Sequence, residues 1–338
     1  MSRIENHWYH PVVWMTALLA PLEGLFAVLA ALRRLGYRLG WLASKRLPVP
    51  VVVIGNINVG GVGKTPLTVE LISALSRRGV RVGVISRGYG GSHQHPVAVT
   101  PESDASLVGD EPLLLAEAGA PVFVGRDRVA AGLALLAAHP ELDLILADDG
   151  LQHYRLARDI EIVVLDGARG LGNGHLLPNG PLREPLSRLS RVDALVVNGD
   201  VLAQLPLPEQ LPCFSMRLEA GVPYALAQPA LLRQPSEFIG LKVVALAGIG
   251  HPERFFATVR AQGITATREL AFPDHHAYCQ QDLPLDADAV LVTSKDAVKM
   301  RQINHAKLWV LPVQARLTPD LADWILARLK VIHGFSTR

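Results

Sequence analysis

The sequence predicts an α/β protein: a mostly parallel sheet with helices on both faces, a smaller second α/β lobe, and an apolar helix ahead of both. Three observations predict it. From Pro50 onward, short β-branched runs alternate with amphipathic stretches, the pattern of strands joined by crossover helices. A Pro/Leu/Gln-rich interruption at 201–212 is followed by a second series of the same kind. Residues 11–32 are almost wholly apolar. The 338 residues suffice for two domains. With 49% apolar and 19% charged residues, the chain forms a core and is not disordered. A net charge of +2 supplies no global field for nucleic acid, which is not expected as a partner. Cys213 and Cys279 have no metal-like spacing and read as two partly buried thiols in a reducing compartment.

Residues 1–47 read as a membrane-associating segment. As a helix, 11–32 would be about 33 Å long, near bilayer thickness. Pro21 would kink it, Gly24 loosens the same turn, and Glu23 would cost on the order of 3 kcal/mol in a bilayer centre. Acidic Glu5 ahead of the run argues against a cleaved signal peptide. Arg33, Arg34, Arg38, Lys45 and Arg46, interleaved with Tyr37 and Trp41, suit an anionic membrane surface. The alternative is a helix packed on its own domain. If the helix spans, its positive flank leaves the rest of the chain in the cytoplasm.

Residues 48–212 read as the main domain. VVVIGNI (51–57) is a buried strand, and TPLTVELISALSRRG (65–79) is a helix closed by Gly79. RVGVISRG (81–88) is a strand. PVAVT (96–100) and PVFVG (121–125) are short strands around the helix EPLLLAEAG, and 126–139 is a further helix. LDLILADDG (142–150), EIVVLD (161–166) and VDALVVNGD are buried strands. Residues 213–317 read as the smaller lobe, with strands at 214–221, 241–250, 286–297 and 307–317 and a helix at PERFFATVRAQG. The segments near 214–219 and 309–317 suit a two-strand connection. Residues 318–338 carry a last amphipathic helix that can pack back on the main domain.

In parallel sheets ligands collect at the carboxyl ends of the strands, and the chemistry-bearing motifs fall there. Gly60-Gly61-Val62-Gly63-Lys64-Thr65 lies between a buried strand and a helix. Its amides and the helix N-terminus make a phosphate nest, Lys64 reaches the terminal phosphates, and the Thr65 hydroxyl suits Mg²⁺. Asn58 stands where the usual motif has its first glycine, and joins the loop as a nucleotide-site residue. Val59 occupies the position of the signature lysine of membrane-partitioning ATPases, which argues against that subclass. The fold class is therefore P-loop NTPase-like. Asp148 and Asp149 end a buried strand and read as Mg²⁺-handling acids or as turn acids. Asp110, in GDEP, reads equally as a helix cap or as the general base for a substrate hydroxyl. Among His275 and His276 of FPDHH, a cleft-facing histidine could orient a base or contact phosphate, and zinc lacks further ligands. Arg183, in the Gly/Pro/Asn-rich loop 172–184, is a phosphate-clamp candidate, as are Arg87 and Tyr89 of SRGYG.

Taken in order, IGNINVGGVGKTP, SRGYGG, GDEP, DDGLQH, GNGHLLPNGPLRE, FPDHH and TSKDAVK resemble the tetraacyldisaccharide 4′-kinase (lipid A 4′-kinase) family over nearly the whole chain. The resemblance implies transfer of the ATP γ-phosphate to the 4′-hydroxyl of a tetraacylated glucosamine disaccharide 1-phosphate, forming lipid IVA. It implies Asp110 as base assisted by His275, with Thr65, Glu111, Asp148 and Asp149 handling Mg²⁺. It places Gln152, His153 and Arg183 in substrate-site runs. It implies ATP and Mg²⁺ as cofactors, a lipid A disaccharide precursor and a membrane surface as partners, a monomer, and the cytoplasmic face of the bacterial inner membrane. Two rival readings are a soluble P-loop small-molecule kinase or ligase, and a nucleotide-switched membrane ATPase adaptor.

Overall fold

The computed structural model describes residues 3–200, 207–303 and 305–334. Residues 201–206, the first part of the interruption read as a boundary, lie outside the described residues. Helices α1 (Arg3–Tyr9) and α2 (Val13–Arg38) come first, and then the alternation begins. It runs β1 (Val51–Gly55), α3 (Lys64–Ser76), β2 (Val82–Ser86), β3 (Val97–Val99), α4 (Ala105–Val108), α5 (Asp110–Glu117), β4 (Val122–Val124) and α6 (Arg128–Ala138). β5 (Leu144–Asp148), β6 (Ile160–Asp166), β7 (Ala194–Asn198) and β8 (Cys213–Ala220) follow. The second series is β9 (Tyr224–Ala225), β10 (Gln228–Leu232), β11 (Val243–Ala247), α7 (Pro252–Ala261), β12 (Ala266–Ala271), β13 (Ala289–Thr293), α8 (Ser294–Ala297) and β14 (Leu308–Leu311). β15 (Val313–Thr318) and α9 (Leu321–His333) close the described chain.

The large sheet has the order β15-β8-β7-β6-β1-β5-β2-β4-β3. Its strands from β8 to β4 pair in parallel, and the edge strands β15 and β3 are antiparallel. β1 lies between β5 and β6, whose connections leave in opposite directions, so a crevice opens at its carboxyl end. Alternate residues of β1 feed two cores. Val52 and Ile54 pack with Leu67, Leu71 and Leu75 of α3 and with Leu321, Ile325 and Leu329 of α9. Val51 and Val53 face Val129 and Leu135 of α6. Burial of each such side chain contributes about 1.5–3 kcal/mol, enough to hold the glycine-rich segment after β1 on a fixed strand. Thus α9 returns to the main domain from the far end of the chain.

The smaller sheet has the order β10-β9-β14-β13-β11-β12, parallel from β14 to β12. The segment 307–317, read as one strand, is two. β14 belongs to the small sheet and β15 to the large one, with Pro312 between them. Proline has no N–H to continue a ladder, so the strand changes sheets there. β8 and β15 pair over six residues from Val313↔Ala220 to Thr318↔Ser215, and so join the two sheets. β12 is missing from the sequence reading because it is a mostly exposed edge strand with polar residues. The cysteine expectation also needs correction. Both thiols are exposed and unbridged, Cys213 at the start of β8 and Cys279 in a loop, neither facing a core.

Helix α2 does not end at Pro21. The Nδ2 of Asn179 donates to the Thr16 carbonyl at 3.3 Å and to Glu23 at 2.7 Å, so contacts hold the helix on both sides of the proline. Trp14, Leu18, Leu25, Leu29 and Leu32 form an exposed stripe on the side opposite Thr16 and Glu23.

Candidate active site

The glycine loop after β1 needs backbone that few side chains tolerate. Gly60 has φ 112° and Gly63 φ 97°, and a Cβ on Gly63 would lie 2.7 Å from Nδ2 of Asn198. That amide donates to the Val62 carbonyl at 3.0 Å, while the Val62 side chain is buried in the core. Gly61 is open on its Cβ side. Lys64 opens α3, where unpaired amides and the helix dipole favour an anion. Its Nζ lies 3.1 Å from Oδ1 of Asn56 and 3.4 Å from Oδ1 of Asp149. Asn58 is buried, its Nδ2 donates weakly to the Gly170 carbonyl, and its Oδ1 has no partner among the described residues.

The two acids after β5 occupy different environments. Asp148 is fully buried. Its Oδ1 accepts from the Thr68 hydroxyl at 3.2 Å, and its Oδ2 has no partner among the described residues. Burial, then the nearby charges of Glu111 and Asp149, push its pKa up to about 7 against the pull of Lys64. Asp149 sits at φ 49°. Burial opposes its ionisation too, but Lys64, Arg183 and Arg128 outweigh it and hold its pKa below the usual value. The Arg183 guanidinium is 3.6 Å from Oδ1 of Asp149. Arg128 is buried and donates to the Asp149 carbonyl at 3.2 Å, and burial pushes its pKa down to about 10.

Asp110 and Glu111 of α5 meet residues that follow strands of the smaller sheet, His275 and Lys295. Gly109 is the N-cap of α5, so Asp110 is inside the helix and is not its cap. Its carboxylate is buried and accepts the Glu111 amide at 2.9 Å. Nδ1 of His275, in the loop after β12, lies 3.0 and 2.9 Å from its two oxygens. His275 is at φ 61°, a conformation costing of order 1–3 kcal/mol. Lys295, at the start of α8, places Nζ 3.1 Å from Glu111, 3.2 Å from Asp274 and 3.9 Å from Asp110. The hydrogen bond that His275 donates to Asp110 raises the histidine pKa. Burial opposes ionisation of Asp110, but His275 and the Lys295 charge outweigh it and lower its pKa.

The remaining residues singled out in the sequence lie around this centre. Tyr89 is exposed after β2, its ring 5.2 Å from that of His275, and Arg87 is exposed beside it. Gln152 donates to the Asn56 carbonyl at 3.0 Å and to Glu184 at 2.8 Å, bracing the glycine loop from behind. The His153 ring lies 3.8 Å from Asp127, and burial and Arg128 lower its pKa to about 4. His276 turns away from the crevice to Asp282 at 3.1 Å. Lys295, Asn56 and Arg128 carry no role in the sequence reading. The strand-end rule that located Asp148 also fits Lys295, which follows β13 directly.

Among the described residues the crevice gathers amides and cations suited to phosphates, with a carboxylate–histidine pair suited to a hydroxyl proton. These are the parts of a P-loop phosphotransferase, whose chemistry depends on positioning and charge neutralisation. A profile of the tetraacyldisaccharide-1-P 4′-kinase family matches residues 15–330, and the chain belongs to that family. A tetraacyldisaccharide 4′-kinase of Chromobacterium violaceum is 67% identical, covering 99% of this chain and all of its own length. One from Neisseria meningitidis serogroup B is 50% identical, covering 97% of this chain and 95% of its own. The fold is similar to a crystal structure of LpxK from Aquifex aeolicus in complex with ATP. That match has a TM-score of 0.80 at 29% identity and covers 93% of this chain and 99% of that one.

Proposed function

We propose that this protein is an ATP-dependent kinase that phosphorylates the 4′-hydroxyl of a tetraacylated glucosamine disaccharide 1-phosphate, the acceptor chemistry of its family. The observation that carries the reading is the Asp110–His275 pair, beside a glycine loop whose Lys64 meets Asp149. The loop 60–63 and the α3 N-terminus cradle the phosphates, and Lys64 neutralises the terminal oxygens. Arg183, beside Asp149, steadies the transferred group. Asp110 takes the proton of the attacking hydroxyl, and the hydrogen bond to His275 keeps its carboxylate oriented and ionised. Arg87 and Tyr89, exposed beside His275, face the acceptor.

The site fits magnesium on its own evidence. Among the described residues Asp148 keeps one buried oxygen without a partner, and the charges of Glu111 and Asp149 lie near enough to raise its pKa, an excess of negative charge that a bound cation would offset. Among the described residues no three His, Cys, Asp or Glu side chains form a closed metal cage. This is expected of a hard cation that shares its shell with water and phosphate. Thr65, Asp148, Asp149 and Glu111 are the residues that would hold it. When bound, magnesium neutralises phosphate charge.

Helix α2 supports a membrane surface as the working environment. It is 26 residues long, with a window of mean hydropathy 1.9 in which no residue is buried. Because Glu23 and Thr16 are tied to the 172–180 loop, the helix lies along the body of the protein, with its leucine stripe outward. The acceptor's acyl chains then stay in lipid while its sugar enters the crevice, on the cytoplasmic face. The test is product analysis after incubation with ATP, Mg²⁺ and the disaccharide in detergent micelles. Phosphate on the 4′-oxygen is expected. ATP hydrolysis without transfer would favour the adaptor reading, and transfer to soluble sugars alone the soluble-kinase reading.

A further inference from the structure

Glu23 stands in the middle of an otherwise apolar helix, and it is not left to solvent or lipid. Its carboxylate accepts the Leu176 amide at 2.8 Å and Nδ2 of Asn179 at 2.7 Å, and meets Nδ1 of His175 at 3.0 Å. Burial opposes its ionisation, but these bonds outweigh it. Asn179 is buried and its Oδ1 lies 3.1 Å from Nε2 of His7, while the Trp8 indole donates to the Pro178 carbonyl at 2.9 Å. The N-terminal helices therefore grip one turn, 175–179, from two sides.

The same loop continues without slack into the nucleotide site. The Val59 amide donates to the Pro181 carbonyl at 2.8 Å, and the Arg183 amide to the Ile57 carbonyl at 2.6 Å. Asn58 forms a bridge with Leu182. Arg183 then reaches Asp149. Three residues, Gly180, Pro181 and Leu182, thus separate a turn pinned by the apolar helix from an arginine beside the active-site acids.

We propose that Glu23 is a positioning residue, which ties the lipid-facing helix to the glycine loop and Arg183 through the 173–184 segment, so that the acylated acceptor and the nucleotide phosphates are held in one fixed relation. The inference rests on the kinase reading above for its consequence, since the relation matters only if an acyl-anchored sugar must meet a phosphate. A helix anchored to lipid but loose on the body would leave the acceptor hydroxyl at a variable height. Misplacement by about 1 Å can cost roughly 100-fold in rate.

The test uses the full-length protein with Glu23→Ala and Glu23→Gln. Glutamine keeps one accepting oxygen but sets a donor against the Asn179 amide, so it should fall between wild type and alanine. Amide hydrogen exchange should rise at Leu176 and, further along, at Arg183 and Val59. Binding to vesicles of anionic phospholipid should persist, because the leucine stripe is intact. KM for ATP should be unchanged while kcat for the acylated disaccharide falls roughly 10- to 100-fold. Faster exchange confined to 173–180, or wild-type kcat in Glu23→Ala, would overturn the tie, as would equal losses in ATP affinity and turnover. The exchange arm needs no turnover. A wild type that binds ATP yet never phosphorylates the disaccharide would sink the kinase reading, while the tie would still be judged by exchange at Val59 and Arg183.

Discussion

Asp110→Asn tests the proposed chemistry most directly, because asparagine keeps the shape of the side chain and removes its charge. In the wild type the carboxylate is buried, bonded through both oxygens to His275 and 3.9 Å from the Lys295 ammonium. The amide has no basicity toward a sugar hydroxyl, and its NH₂ faces a ring nitrogen held as a donor. A general base in this position contributes about 10²- to 10⁴-fold. At 1.36 kcal/mol per decade that is about 2.7–5.4 kcal/mol of transition-state stabilisation. Stability should suffer less, about 1–3 kcal/mol for the disturbed buried hydrogen bonds, because Lys295 keeps Glu111 and Asp274 as partners. The nucleotide contacts at Lys64 and the glycine loop are untouched, so ATP should bind as before. The assay is steady-state transfer of labelled γ-phosphate to the disaccharide, beside calorimetric titration with ATP. His275→Gln should lower turnover as well, and the double variant should cost little more than Asp110→Asn alone, since the pair acts as a unit. Turnover within about threefold of wild type would remove Asp110 from the role of base. Lost ATP binding would mean that the cleft, not the proton transfer, had failed.

Three further outcomes follow from the same contacts. Asp148 ionises at about 7 in the fold and near 3.9 in an unfolded chain, so between those values the folded protein holds the extra proton and its stability falls as pH rises. Magnesium favours the ionised form, so its effect on Tm should be larger at a pH above that value than below it, and Asp148→Asn should abolish the difference. Lys295→Met leaves Glu111 and Asp274 without their shared cation. It should lower kcat by about 10-fold or more while a guanidinium at this position restores part of it, and wild-type kcat in Lys295→Met would show that the lysine only braces the lobes. Leu18→Glu with Leu25→Glu puts two carboxylates on the exposed stripe of α2, at a cost of up to about 3 kcal/mol each in lipid. Vesicle sedimentation should be lost with ATP binding retained, and undiminished sedimentation would exclude this face as the contact.

What the sequence made legible was local. The strand, glycine loop and helix from Val51 to Ser76 follow one another directly, and the restriction to glycine at Gly63 comes from a nearby amide of Asn198. Asp148 was legible because a buried strand ends on it. Lys295 stands at a strand end too, but its partner Glu111 is 184 residues away, so its role as a cation for the other lobe shows only in the fold. Arg128 drew no reading of its own within the 126–139 helix, and its burial beside the Asp149 carbonyl shows only in the fold. The single strand expected over 307–317 failed at Pro312, where the alternation of apolar residues continues but the ladder cannot. Glu23 was read as a burden on a membrane helix, since its partners at 175–179 lie in a loop whose position only the fold determines.

Charge explains why the crevice is built from two lobes. The main domain brings Asp110, Glu111, Asp148 and Asp149 close enough for Glu111 to raise the pKa of Asp148. Lys64, Arg128 and Arg183 from the same domain are spent on the Asp149 side. Placement at the α5 N-terminus offers Asp110 and Glu111 only about 0.3–1 kcal/mol each. The cations that meet these two acids, His275 and Lys295, come from the smaller lobe, which the β8–β15 pair joins to the large sheet. Docking of the lobes and ionisation of the proposed base are therefore one equilibrium. Contact with His275 and Lys295 favours the carboxylate that the reaction needs, and a protonated Asp110 would weaken the contact that holds the acceptor side closed.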